Sequence, residues 1–92
     1  MKNQLNDVFK SPVIIFPNPA NERIQCSLLI ESEKPIYLKL YNLLGECLVK
    51  CKYENATEFN NNVINVSDLT TGIYTVEIEI NEYRYLSKIV VN

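Results

Sequence analysis

The chain has 92 residues and a net charge of −2, with 47% hydrophobic and 22% charged residues. This length fits one domain, and the composition is typical of a globular protein with a modest core, which excludes a disordered chain. A negative net charge argues against a general nucleic-acid binder, and no apolar run approaches the roughly 18 residues of a membrane span. The first residues contain no apolar signal-peptide segment, so we expect either a cytoplasmic protein or a piece of a longer exported chain.

Histidine is absent from the chain. Its absence excludes Ser-His-Asp and Cys-His catalysis and the zinc sites that contain His. Glu77 and Glu79, two residues apart on one predicted strand, would lie about 6.5 to 7 Å apart, which overlaps the spacing of glycosidase carboxylates. Because both would lie on an open sheet surface, we expect a solvated strand face there. The sequence therefore predicts no enzyme activity, no cofactor and no metal.

Three cysteines, Cys26, Cys47 and Cys51, cannot all pair within the chain. Cys47 and Cys51 would lie about 13 Å apart on one extended strand, which is beyond disulfide reach. A bridge from Cys26 to either of the other two remains open. We expect buried free thiols that pack as small hydrophobic groups.

Residues 1–12 are predicted to be a linker or tail, and residues 13–92 a set of short strands. Residues 13–16 are apolar and precede Pro17 and Pro19, which lack N–H donors, so they suit an edge strand. Period-two alternation predicts six more strands, at residues 22–30, 36–41, 46–53, 63–66, 74–80 and 83–91. The inward side chains are expected to be Ile24, Cys26, Leu28 and Ile30, then Ile36, Leu38 and Leu40, then Cys47, Val49, Cys51 and Tyr53, then Tyr74, Val76, Ile78 and Ile80, and finally Tyr85, Ser87, Ile89 and Val91.

These strands, with residues 54–62 as a polar loop and no helix, predict an all-β fold. Seven short antiparallel strands separated by turns are typical of an immunoglobulin-like or fibronectin III-like β-sandwich. We expect Gly45 to take a positive φ in the turn at residues 42–45. The chain has twelve asparagines, and we expect them to form many of the other turns, because Asn tolerates the left-handed region.

The stretch at residues 66–76 predicts a capped corner between two strands. Ser67 is expected to accept hydrogen bonds from the turn, and Leu69 to point inward as a plug. Gly72 is expected to reverse the chain with a positive φ. Tyr74 is expected to bury its ring and donate its hydroxyl to backbone a few residues upstream, as in the tyrosine corner of β-sandwiches.

Four segments now stand in order, at residues 16–20 (FPNPA), 40–46 (LYNLLGE), 64–74 (INVSDLTTGIY) and 88–91 (KIVV). In this order and spacing they resemble the C-terminal sorting domain carried by cargo of the type IX (Por) secretion system in Bacteroidetes. The resemblance runs from Ile14 to Asn92. The positions that match its motifs are Pro17, Asn18, Pro19, Gly45, Leu69, Gly72, Tyr74 and Lys88.

The resemblance implies a non-catalytic address tag. In that family an immunoglobulin-like sandwich ends a larger secreted protein and is recognised by the outer-membrane translocon. A surface sortase then usually removes it and attaches the cargo to the cell surface. The implied partners are therefore the translocon, sortase components and an upstream cargo domain, with no nucleic acid and no membrane span. The implied location is outside the outer membrane or at the cell surface, with this chain as a fragment of an exported precursor.

A second hypothesis is a generic immunoglobulin-like binding or adhesion module. Tyr37 and Tyr41 flank Lys39 on one predicted strand face. Two aromatic rings beside a cation can form a platform for a sugar ring, so carbohydrate is the ligand class that this hypothesis names.

Overall fold

A computed structural model of the chain describes residues 12–29 and 32–92. The predicted tail, apart from Pro12, and the predicted inward residue Ile30 lie outside the described residues. The described elements are β1 (Val13–Phe16), β2 (Arg23–Leu28), β3 (Ile36–Tyr41), β4 (Cys47–Tyr53), α1 (Ala56–Asn60), β5 (Val63–Asn65), β6 (Gly72–Ile80) and β7 (Tyr83–Val91).

The strands form two antiparallel sheets, one of three strands in the order β1-β2-β5 and one of four in the order β4-β3-β6-β7. The predicted seven-stranded sandwich is confirmed, and β1 lies at a sheet edge as expected. In the constant-type immunoglobulin fold the fourth strand joins the sheet of the first two strands. Here β4 pairs with β3 instead, which is the fibronectin III-like variant.

Side chains from both inner sheet faces form one hydrophobic core. The predicted inward positions of β2, β3 and β6 are all buried, which confirms the alternation from which they were predicted. In β7 the far half is buried at Ile89 and Val91, whereas Ser87 is exposed. Burial of each large aliphatic side chain contributes about 1.5 to 3 kcal/mol, so this shared core is the main source of stability.

The predicted loop at residues 54–62 contains a helix, so the expectation of a helix-free chain was wrong. Asn55 caps α1, because its side-chain oxygen accepts the Glu58 N–H at 2.9 Å. The Glu58 carboxylate in turn accepts the Glu54 N–H at 3.1 Å, which adds a second hydrogen bond at the start of the helix. Phe59 is fully buried and its ring meets that of Tyr53 edge-on at 5.3 Å. Among the described residues no helix is long and apolar enough to cross a membrane.

One of the predicted turn conformations differs from the observed one. Gly45 has φ +85°, as predicted, and Asn81 has φ +56° in the two-residue turn between β6 and β7. Gly72 is not in the positive-φ region, which corrects the prediction. It starts β6 and pairs with Val91 in extended backbone, so the reversal is complete before the chain reaches it.

The corner is capped by Asn65, which corrects the prediction for Ser67. Asn65 Oδ1 accepts the Ser67 N–H at 2.8 Å and the Ser67 hydroxyl at 2.7 Å, so Ser67 is the donor in both hydrogen bonds. The Leu69 N–H then donates to the Val66 carbonyl at 3.0 Å and closes the turn. Leu69 is half-buried against the core, in agreement with its predicted inward direction.

All three cysteines are free thiols, but only Cys26 is buried. Burial, with the neighbouring Cys51 as a smaller cause, raises the pKa of Cys26 to about 12 and keeps it protonated. Cys51 is half-buried, and Cys47 is exposed with its Sγ 3.3 Å from the Val49 carbonyl. The prediction that Cys47 points inward was wrong, because a register shift at Leu40–Tyr41 interrupts the alternation of β4 at its start.

The tyrosine corner is confirmed. Tyr74 is 5% exposed, and its hydroxyl donates to the Thr70 carbonyl at 2.6 Å. The Thr70 hydroxyl lies 3.1 Å from the same phenolic oxygen. Tyr74 therefore ties the start of β6 to the turn that precedes it.

We expect Tyr74→Phe to lower the free energy of unfolding by about 0.5 to 1.5 kcal/mol, because the ring stays buried and the hydrogen bond to Thr70 is lost. Urea denaturation monitored by circular dichroism measures this change. Tyr83→Phe is the matched control, since Tyr83 is 65% exposed and its hydroxyl has no partner among the described residues. Equal midpoints for the two variants would contradict a stabilising corner.

Candidate functional site

The carboxylate pair considered from the sequence is part of the fold. Glu77 is 8% exposed, which corrects its predicted place on a solvated face. Its carboxylate accepts the Tyr41 hydroxyl at 3.0 Å and lies 3.2 Å from Arg84 Nε. The hydrogen bond to Glu77 raises the pKa of Tyr41. Glu77 thus links β3, β6 and β7, and among the described residues no group of three Cys, Asp or Glu side chains is placed to hold a metal ion.

The side-chain hydrogen bonds with the largest sequence separation among the described residues join the segment after β1 to the last strand. Asn18 Oδ1 accepts the Val90 N–H at 2.9 Å, and Asn18 Nδ2 donates to the Lys88 carbonyl at 3.4 Å. A carboxamide carries one acceptor and a donor, as a peptide unit does. The Asn18 side chain therefore takes the place of a neighbouring strand at the outer edge of β7.

Ala20 continues this contact with its backbone. Its N–H donates to the Val90 carbonyl at 2.8 Å, and its carbonyl accepts the Asn92 N–H at 2.8 Å. Ala20 and Val91 form a parallel bridge, and both are fully buried or nearly so. Pro17 and Pro19 flank Asn18 without N–H donors of their own, so the segment pairs through Asn18 and Ala20. We call residues 17–20 with residues 88–92 the terminal clamp.

The corner lies beside the terminal clamp in the four-stranded sheet. Gly72 pairs with Val91 and Tyr74 pairs with Ile89 across the β6-β7 ladder. Lys88 pairs with Thr75 in the same ladder. The corner and the clamp are therefore two neighbouring parts of one end of the sandwich.

The turn between β3 and β4 is fixed by Asn42. Asn42 Oδ1 accepts the N–H groups of Leu44 and Glu46 at 3.0 and 2.9 Å. The backbone adds hydrogen bonds from Gly45 to Asn42 and from Asn42 to Glu46. Leu43 and Leu44 are 74% and 84% exposed on this turn, so it holds two apolar side chains in solvent. We call Leu43 and Leu44 the leucine tip.

All four sequence motifs meet at this end of the sandwich. The leucine tip and residues 70–74 of the corner line a shallow depression of about 220 Å³. Of the predicted positions, Asn18 and Lys88 are hydrogen-bonded to each other, and Gly72 and Tyr74 lie beside them in the sheet. Gly45 follows the leucine tip in the turn between β3 and β4. Asn42 and Ala20 were missed by the sequence prediction. The role of Asn42 could have been predicted from the sequence, because an Asn side chain at the start of a turn commonly accepts a hydrogen bond from the backbone N–H two residues on.

Comparison with known proteins agrees with this geometry. A family model described as a secretion system C-terminal sorting domain matches residues 14–92. Among solved structures, the chain is similar to dimeric latent PorU from Porphyromonas gingivalis, with a TM-score of 0.60 and 14% sequence identity. The alignment covers 86% of this chain and 9% of the PorU chain, and the likeness concerns the fold alone. Comparison with curated proteins gave no match.

The matched range includes both halves of the terminal clamp, the leucine tip and the corner. A match over most of the chain, on a sandwich in which all four motif segments meet, identifies its family. The chain belongs to the C-terminal sorting domains of type IX secretion.

Proposed function

We propose that residues 13–92 are a non-catalytic sorting signal that directs a larger cargo protein through the type IX translocon, with residues 1–12 as the link to that cargo. The family match over residues 14–92 carries this proposal. The sorting-domain family is non-catalytic in general, and it implies export across the outer membrane. A surface sortase that removes the domain completes the proposed pathway.

Within this function the motif residues divide into two groups. Asn18, Ala20 and Tyr74 have buried contacts or backbone partners, so they maintain the fold. Gly72 has neither a positive φ nor a crowded neighbourhood, since no atom lies within 4 Å of the place where a Cβ would stand. A glycine that the fold does not need often marks close approach of another backbone. We assign Gly72 and the adjacent leucine tip to contact with the translocon.

The direct test fuses residues 13–92 behind a signal peptide and a reporter in a bacterium with a working type IX system. We expect the reporter at the cell surface or in the medium, because the domain supplies the whole address. The same fusion in a strain without the translocon should stay in the periplasm. Periplasmic retention in both strains would contradict the proposed function.

A second prediction concerns the terminal clamp. Asn18→Ala leaves the Val90 N–H and the Lys88 carbonyl without this partner, so we expect the free energy of unfolding to fall by about 1 kcal/mol. Urea denaturation measures the loss. Asn21→Ala is the matched control, because Asn21 is exposed and has no hydrogen bond among the described residues. Indistinguishable midpoints would show that Asn18 does not hold β7.

A third prediction separates recognition from folding. Gly72→Ala should keep or raise the unfolding free energy, by up to about 1 kcal/mol, since an extended backbone accepts Ala and the unfolded chain loses freedom. Gly45→Ala should lower it by about 1 kcal/mol, because φ is +85° there.

Export of the reporter fusion is then compared for these two glycine variants. We expect Gly72→Ala to reduce surface reporter although the domain is fully folded, as its urea midpoint will show. Normal export of a folded Gly72→Ala domain would remove Gly72 from the contact surface, whatever the result for Gly45→Ala.

A further inference from the structure

The cations of this acidic chain are concentrated on one face. Seven of its nine lysines and arginines lie in the described residues. Five of these seven lie on the outer face of the four-stranded sheet, where the register places two carboxylates among them. The face therefore has a net charge of +3 in a chain whose net charge is −2. We call it the basic face, and its cations are Lys39, Lys50, Lys52, Arg84 and Lys88.

Most of this positive charge is not neutralised within the fold. Glu77 and Arg84 pair with each other at 3.2 Å, and Glu77 is buried. Lys52 has an exposed partner, Glu54, at 3.7 Å, and such surface pairs are weak. No carboxylate of the described residues lies within 4.0 Å of the ammonium groups of the remaining lysines, Lys39, Lys50 and Lys88.

Lys39 and Lys50 are directly opposite each other in the β3-β4 ladder. Like charges in this position destabilise a sheet, because the side chains start only about 5 Å apart. Lys39 is also directly opposite Glu77 in the β3-β6 ladder, but the Glu77 carboxylate lies 3.2 Å from Arg84 and not within 4.0 Å of the Lys39 ammonium group. The arrangement costs stability in the free domain and becomes favourable when an anion lies over the two lysines.

The remaining side chains of the basic face indicate the kind of anion. Tyr37 is 41% exposed, and Lys52 Nζ lies 6.0 Å from its ring centroid. Lysine is depleted at protein interfaces, where its flexible stem is costly to order, but it binds carboxylates and phosphates as a mobile point charge. A flat, open strand surface with an aromatic ring among lysines suits a flexible chain of charged sugars better than a second protein.

We propose that the basic face binds an anionic polysaccharide. Export across the outer membrane, which the family implies, places the domain among cell-surface and extracellular polymers rather than nucleic acids. Acidic groups of the polymer lie over Lys39 and Lys50, and a sugar ring lies on Tyr37. Binding itself requires only the folded domain, whereas the choice of a cell-surface polymer rests on the proposed export; a failed titration would therefore leave the sorting function untouched.

The experiment titrates the whole 92-residue chain with polygalacturonate, which carries a carboxylate on each ring, and measures affinity by native affinity electrophoresis. We expect binding that weakens as ionic strength rises, and none to neutral dextran. A lysine at an anionic surface contributes about fivefold in affinity, so Lys39→Gln with Lys50→Gln should weaken binding roughly 30-fold. Removing the opposed lysines should keep or raise the thermal midpoint, which excludes misfolding as the cause.

The matched control is Arg23→Gln with Lys34→Gln, which removes the same charge from outside the basic face. It should bind as the unchanged chain does. An equal loss in both double variants would show a net-charge effect and overturn the site. The absence of binding to polygalacturonate would overturn the proposal. Equally tight binding of a single-stranded oligodeoxynucleotide of similar charge would also overturn it, because the face would then not select a polysaccharide.

Discussion

The outer edge of β7 is the constraint on which the sandwich depends. A nine-residue strand at the edge of a sheet presents unpaired N–H and C=O groups that favour pairing with other chains. Here the last part of that edge is covered from the opposite sheet by Asn18 and Ala20. Because Pro17 and Pro19 lack donors, the covering segment satisfies the edge at a few points without extending the sheet further.

This closure has a consequence for folding. The Asn18 and Val90 partners are 72 residues apart in sequence, so their contact forms only after almost the whole domain has been synthesised. Contacts of such separation are entropically expensive to form early. The first and the last of the four motif segments therefore meet through hydrogen bonds of the longest sequence separation, and a domain lacking either segment has an open edge.

Period-two alternation was enough to predict the strands and most of the core, because each inward position of β2, β3 and β6 is an aliphatic or similarly apolar residue. It could not predict α1, whose five residues are too few for a helical period and which depends on the buried Phe59 and the cap at Asn55. Alternation also placed Glu77 in solvent, because the partners that bury it, Tyr41 and Arg84, lie on two other strands. The clamp was not predictable from local patterns, since neither Asn18 nor Val90 signals a partner 72 residues away.

The asparagines explain one further difference between sequence and structure, the cap of the corner. The asparagines were expected mainly to adopt a positive φ in turns. In the described part of the chain, Asn81 is the only asparagine that does so. Asn18, Asn42, Asn55 and Asn65 instead accept backbone N–H groups with their side chains. In a chain with two glycines, the carboxamide supplies hydrogen bonds at turns and edges that backbone geometry would otherwise supply. This is why Asn65 caps the corner where Ser67 was expected.

The end of the sandwich where the four motifs meet and the basic face occupy different parts of the four-stranded sheet and share Lys88. The leucine tip, Gly72 and the clamp lie where strands begin and end, whereas Lys39 and Lys50 lie midway along β3 and β4. Lys88 belongs to both, since its carbonyl accepts from Asn18 while its side chain lies on the basic face. The two surfaces are separate except at Lys88, so substitutions at Lys39 and Lys50 change the basic face without touching the clamp.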